Sequence, residues 1–193
     1  MAKGKVRFYF AYNSPYAFLG NSRIDAELAP LGVEIERMPI YSPPAAGGGP
    51  DLNTPRFRYL FKDVSRFADA YGLALNPGPF ANTKKACLGF FFAREKGCEE
   101  AYHHGVYGAR WLEGKDIGEG GVLGDIAEKC GLDRAEFLAA LDNPTYAEAL
   151  AASNKEGEAD EVFGFPTFIH AGEKFWGNDR IEWLVRHIKA SAG

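Results

Sequence analysis

Strand-forming character is confined to the two ends of this chain, and that segregation limits the possible folds more than any other feature. Residues 5–12, KVRFYFAY, are apolar and aromatic and predict a buried strand. Asn13-Ser14-Pro15 stops the run. Ser14 suits an N-cap and Pro15 the first helical position. Apolar residues at 18, 19, 24 and 28 predict a helix over 15–29. Pro30-Leu31-Gly32 breaks it, and residues 33–40 alternate as a second strand. At the far end, residues 167–170 predict a strand and Ala171-Gly172-Glu173 a hairpin turn. A short strand at 174–176 and a helix from near Asp179 follow.

The middle is different. YSPPAAGGGP, residues 41–50, is the sharpest composition shift and predicts a loop. Helices are predicted from Thr54-Pro55 to Tyr71, from Asn82 or Thr83 to Lys96, and over 99–112, 122–130 and 144–160. One more runs to Leu141, opened by Asp133 with Glu136 as an acidic capping box. The expected class is therefore α/β, with residues 1–45 and 161–193 forming one discontinuous domain and 46–160 an all-helical insertion.

Composition excludes several function classes. The net charge is -4, from 22 basic and 26 acidic side chains, so there is no broad basic field for nucleic acid and no polybasic membrane patch. No apolar run nears the ~18 residues that span a bilayer. The N-terminus has no signal-type apolar core, which predicts a cytoplasmic protein. Cys87, Cys98 and Cys130 form no CxxC pair and read as reduced structural thiols. His103 and His104 are adjacent and point apart on a helix, and His170 and His187 are isolated, so no metal site is expected.

Pro166 stands between aromatics, in Gly164-Phe165-Pro166-Thr167-Phe168. A trans proline at the first position of a strand is tolerated and needs no function. A cis proline turns the N–H and C=O of Phe165 outward, where they can pair with an extended peptide as an added strand.

Several stretches together carry a resemblance: Ser14-Pro15-Tyr16, Tyr59-Leu60-Phe61-Lys62-Asp63, Asn82-Thr83, Phe165-Pro166-Thr167, and Phe175 to Arg180. In this order the chain resembles the 2-hydroxychromene-2-carboxylate isomerase family, which is thioredoxin-like and related to kappa-class glutathione transferases and bacterial disulfide oxidoreductases. The resemblance covers nearly the whole chain. It implies a thioredoxin-like fold with a large helical insertion, a cis Pro166, glutathione as cofactor and a homodimer. The chain departs from the family at Ala11, where an acidic residue is usual.

The resemblance also gives Ser14 a role. The disulfide-exchanging relatives carry a cysteine at that helix start and another three residues on; here those positions are Ser14 and Ala17, so no such disulfide can form. A borrowed thiol can still use the helix N-terminus, with its N–H donors and partial positive charge. Glutathione's thiol, near the ~8.5 of free cysteine, is mostly protonated at neutral pH. A hydrogen bond from the Ser14 hydroxyl favours its thiolate. Ser14 is then a donor, not a nucleophile; its other reading is a plain N-cap.

Other roles follow from the resemblance, residue by residue. Phe165, beside Pro166, pairs its backbone with the cysteinyl part of glutathione. Asn178 and Asp179 hold the γ-glutamyl end, Asp179 meeting the ammonium; the other reading of Asp179 is an N-cap. Lys62 serves the glycyl end or the substrate carboxylate, and Asn53 the substrate pocket; their other readings are a solvated lysine and a loop asparagine. Tyr16, Trp111, Tyr59 and Trp176 are candidates to line an aromatic pocket, or simply core. The implied activity is a glutathione-dependent isomerisation of an aromatic carboxylate, by reversible addition of the thiolate and rotation about the resulting single bond. The alternatives are a kappa-like glutathione transferase or peroxidase, and a non-catalytic peptide-binding module.

Overall fold

The computed structural model describes residues 4–43 and 51–191. Most of the expected Gly/Pro loop, residues 44–50, lies outside the described residues. The described residues divide into two compact units. One is built from the chain's two ends, up to Ile40 and from Ser153; the other is Tyr41–Ala152.

The first unit holds one mixed four-stranded sheet. β1 (Lys5–Phe10) runs parallel to β2 (Glu34–Pro39) and antiparallel to β3 (Thr167–His170), and β3 is antiparallel to β4 (Glu173–Trp176), giving the order β2-β1-β3-β4. α1 (Pro15–Leu28) is the crossover that a parallel pair requires. The hairpin turn takes Ala171 and Gly172 at positive φ, so β4 starts at Glu173, one residue earlier than expected.

Strand alternation sorts the two faces. Val6, Phe8 and Phe10 share one face with Phe168, whose ring stacks on Phe8 at 5.0 Å. That face is covered by α1, through Ala17, Leu19 and Ile24, and by α8 (Ile181–Ser191), through Ile181, Leu184 and Ile188. Burying each such Phe, Leu or Ile side chain stabilises by roughly 1.5–3 kcal/mol. Tyr9, Met38 and Ile169 form the core of the opposite face, with Ile40, Val162 and Phe165 against them.

The end of α7 (Pro144–Ala159) packs on this second face, and the strand-bearing unit resumes at Ser153, inside the helix. The physical reason is close approach. Ser153 donates to the carbonyl of Pro39 at 2.8 Å, and a Cβ at Gly157 would stand 2.9 Å from Ile40 Cδ1.

Within the helical unit, α2 (Pro55–Ala70), α3 (Lys84–Glu95), α4 (Glu99–Trp111), α5 (Gly120–Lys129) and α6 (Arg134–Ala140) follow the predicted order. Its aromatic core joins Tyr102 and Phe137, with rings 5.5 Å apart, to Phe92 and Tyr146. Thr54 caps α2 by accepting from Phe57 N at 3.3 Å. Asn82 accepts from Lys84 N at 3.1 Å at the start of α3. Asp133 caps α6 by accepting from Glu136 N at 2.8 Å. The Glu136 carboxylate takes Lys96 Nζ at 2.5 Å.

Candidate active site

The site begins where β1 ends. Ser14 N donates to Ala11 O at 2.9 Å, closing the turn that swings the chain into α1. Ser14 is extended at φ -86, ψ 114, as an N-cap is. Its Oγ accepts from Ala17 N at 3.2 Å and donates to Phe165 O at 3.1 Å. The hydroxyl is thus used on both sides, and it joins the helix start to the other end of the chain.

The Phe165–Pro166 peptide bond is cis. Pro166 is buried, and its ring sits against α1: a Cβ at Gly20 would stand 3.0 Å from Pro166 Cγ. Thr167 Oγ1 donates to Gly164 O at 2.7 Å, and Gly177 N donates to Pro166 O at 2.9 Å. The second bond ties the loop to the short 3-10 turn Asn178–Arg180. Ser14, Phe165, Pro166 and residues 177–179 are therefore one connected group.

Two features differ from expectation. The helix start offers fewer donors than the sequence implies: Pro15 has no N–H, Ala17 N goes to Ser14 Oγ, and Phe18 N goes to Ser14 O at 3.1 Å. The Phe165 carbonyl is not turned outward unpaired, because it accepts the Ser14 proton. The Phe165 N–H has no hydrogen-bond partner among the described residues and remains the open half of that peptide edge. The electrostatics still favour an anion. The first turn of α1 carries no acidic residue to cancel the positive end of the helix.

The remaining candidates are placed as follows. Asn178 is buried at 2% exposure at the start of the 3-10 turn Asn178–Arg180. Asp179 is exposed and paired with Arg180 at 3.2 Å. Tyr16 is half-buried on the first turn of α1. Asn53, Lys62 and Trp111 belong to the helical unit. Asn53 is exposed; its N–H meets Asp51 Oδ1 at 2.9 Å and its C=O accepts the Arg58 guanidinium. Lys62 is exposed on α2. Trp111 is buried at 3% exposure, with the Arg110 guanidinium 4.4 Å over its ring. It is a core residue there, held as the partner of a buried cation.

Sequence reasoning missed Gly20. The signal was available, since a glycine inside a helix costs stability and calls for a packing reason. Here that reason is Pro166. All three cysteines lie in the helical unit as free thiols. Burial pushes Cys87 up to about 12 and raises Cys98 and Cys130.

Comparison with known proteins bears on the family and the fold. The 2-hydroxychromene-2-carboxylate isomerase of Pseudomonas putida is 28% identical over 186 residues, 93% of this chain and 91% of that protein. A solved 2-hydroxychromene-2-carboxylate isomerase superposes with a TM-score of 0.85 at 26% identity, covering 97% of this chain and 96% of the other. The cytosolic disulfide reductase DsbM from Pseudomonas aeruginosa, solved with GSH, shares the fold at a TM-score of 0.67 and 17% identity, covering 96% and 99%. The family model of the DSBA-like thioredoxin domain matches residues 5–189, and the chain belongs to that family.

Proposed function

We propose that this protein is a glutathione-dependent isomerase of 2-hydroxychromene-2-carboxylate-type compounds, cytoplasmic and homodimeric. The names of relatives matched over most of both chains support the reaction class. The observation that carries the reading is the Ser14 hydroxyl, set at the start of α1 and bonded to the carbonyl of Phe165.

The residues present fit glutathione. An extended cysteinyl backbone needs one acceptor and one donor, and Phe165 supplies both: its unbonded N–H and its carbonyl. When bound, glutathione supplies a thiolate nucleophile. Ser14 holds it by turning its O–H from Phe165 O toward the sulfur. The Ala17 N–H stays on Oγ and polarises the hydroxyl as a donor. The positive end of α1 lowers the cost of the negative charge. Asp179 meets the ammonium once its exposed pair with Arg180 opens, which costs little. Lys62 and Asn53 receive carboxylates. Asn178 joins Asp179 in holding the γ-glutamyl end.

The test is a pH titration of the ultraviolet thiolate absorbance of bound glutathione, in the wild type and in Ser14→Ala. The wild type should hold the thiol below the ~8.5 of free cysteine. Ser14→Ala should return it toward that value, and an unchanged titration rules out the assigned role. Glutathione should be recovered unconsumed after turnover; stoichiometric loss would identify a transferase or peroxidase instead.

A further inference from the structure

A second built site lies at the opposite end of β1 from Ser14. It is a cavity of about 370 Å³ in the strand-bearing unit, within the range of small-molecule sites. Its floor is a cross-strand row: Arg7 pairs with Ile169, and Ile169 with Lys174, so the three side chains share one sheet face. Lys5 flanks the row, and the end of α7, with Asp160 and Glu161, forms the wall.

The charged groups here are fixed. Tyr9 is fully buried and donates to Asp160 Oδ2 at 2.7 Å. Arg7 Nη1 bonds the same oxygen and lies 3.5 Å from the Tyr9 hydroxyl. Burial raises Tyr9 to about 12, so the phenol stays a donor at any physiological pH. Lys174 Nζ is held by Glu161 O at 2.8 Å. Asp160 Oδ1 and Arg7 Nε and Nη2 have no hydrogen-bond partner among the described residues, and Lys174 Nζ, which lies 5.8 Å over the Phe163 ring, makes no hydrogen bond there beyond Glu161 O. The only two non-glycine residues with positive φ among those described, Glu161 at 52° and Ala171 at 50°, both border this cavity. Glu161 takes the left-handed place after α7 that glycine normally fills, with Val162 N closing on Gly157 O at 2.8 Å.

We infer that this cavity binds a small zwitterionic amino compound, an amino acid with a modest apolar side chain. Its carboxylate bridges the open edge of Arg7 and Lys174. Its ammonium meets Asp160 Oδ1. Its side chain lies on Ile169 and Ala171. A contact pair of opposite charges on the protein matches the adjacent charges of the ligand, whereas a simple anion meets Asp160 and a simple cation meets Arg7.

Isothermal titration calorimetry of the full chain tests this with three probes: leucine, 4-methylpentanoate, which lacks the ammonium, and 3-methylbutylamine, which lacks the carboxylate. Leucine should give saturable heat, and the other two should bind at least about tenfold more weakly. Asp160→Asn and Lys174→Ala should each weaken leucine severalfold with the fold retained by circular dichroism, and Ser14→Ala should leave it unchanged. Absent leucine binding, equal binding of 4-methylpentanoate, loss in Ser14→Ala, or leucine binding unaffected by both Asp160→Asn and Lys174→Ala would each overturn the assignment.

Discussion

Ser14 donates its hydroxyl proton to the carbonyl of Phe165 at 3.1 Å, across a sequence separation of 151. The same oxygen accepts from Ala17 N, so one side chain caps a helix and fastens the Pro166 loop. Removing it should be felt in stability as well as in chemistry. Ser14→Ala is expected to cost about 1–2 kcal/mol, the upper half of the N-cap range because the Phe165 acceptor also loses its donor. Ser14→Thr keeps the oxygen and should stay within about 0.5 kcal/mol of wild type. Urea unfolding of the three proteins measures both.

Gly20 separates packing from chemistry. A Cβ there would meet Pro166 Cγ at 3.0 Å and Phe168 Cζ at 3.4 Å. Gly20→Val adds two further methyl groups against a buried ring. It is expected to destabilise by about 1–3 kcal/mol through overpacking. Because the obstacle is Pro166, the loop must shift, and glutathione affinity should fall with the Ser14 hydroxyl still present. A variant that is less stable but binds glutathione normally would show that the loop position does not matter for binding.

How much of this was legible in the sequence depends on the range of the interaction. Asn13-Ser14-Pro15 marked the strand-to-helix turn because capping and proline chemistry are local, and the same holds for Thr54, Asn82 and Asp133. β3 was predicted at its observed bounds because a short aromatic and β-branched run stands between a proline and a glycine turn. The contacts of the tail of α7 with the sheet run through small residues, Ser153 and Gly157, which leave no apolar period to read in the sequence. The Arg7–Tyr9–Asp160 group was invisible, since Asp160 is 153 positions from Arg7 and reads as a solvated helix end. Asn178 was assigned to the γ-glutamyl end by the resemblance, and its burial at 2% exposure could not be read from the turn residues around it.

His170 on β3 and His187 on α8 stack edge to face with ring centroids 5.3 Å apart. His170 Nδ1 and His187 Nε2 are both buried without a hydrogen-bond partner. The His170 pKa is lowered, first by burial and then by the nearby His187. A base whose folded pKa lies below its unfolded value, near 6.5, leaves the unfolded chain binding more protons. Stability should therefore be full above pH 6.5 and fall as pH drops through it, by at most about 1.4 kcal/mol per pH unit for one proton. Thermal midpoints between pH 7.5 and 5 check the sign. His170→Phe should flatten the slope in that window, and a slope unchanged in that variant would place the titration elsewhere.

The three thiols decide between borrowed and intrinsic sulfur chemistry. Cys87 is fully buried on α3 and pushed up to about 12 by burial, with only partial relief from Thr83. Cys98 and Cys130 are partly exposed, and burial raises both rather than lowering them. Thiolate fraction sets attack rates, so none of these is an activated nucleophile. A native-state titration with an aromatic disulfide reagent at pH 7.5 should label at most two thiols, slowly, and the third only after unfolding. Replacing Cys98 and Cys130 with serine should leave isomerase turnover with added glutathione within about twofold of wild type. Turnover that disappears with those cysteines would move the reacting sulfur from a guest at Ser14 to the protein itself.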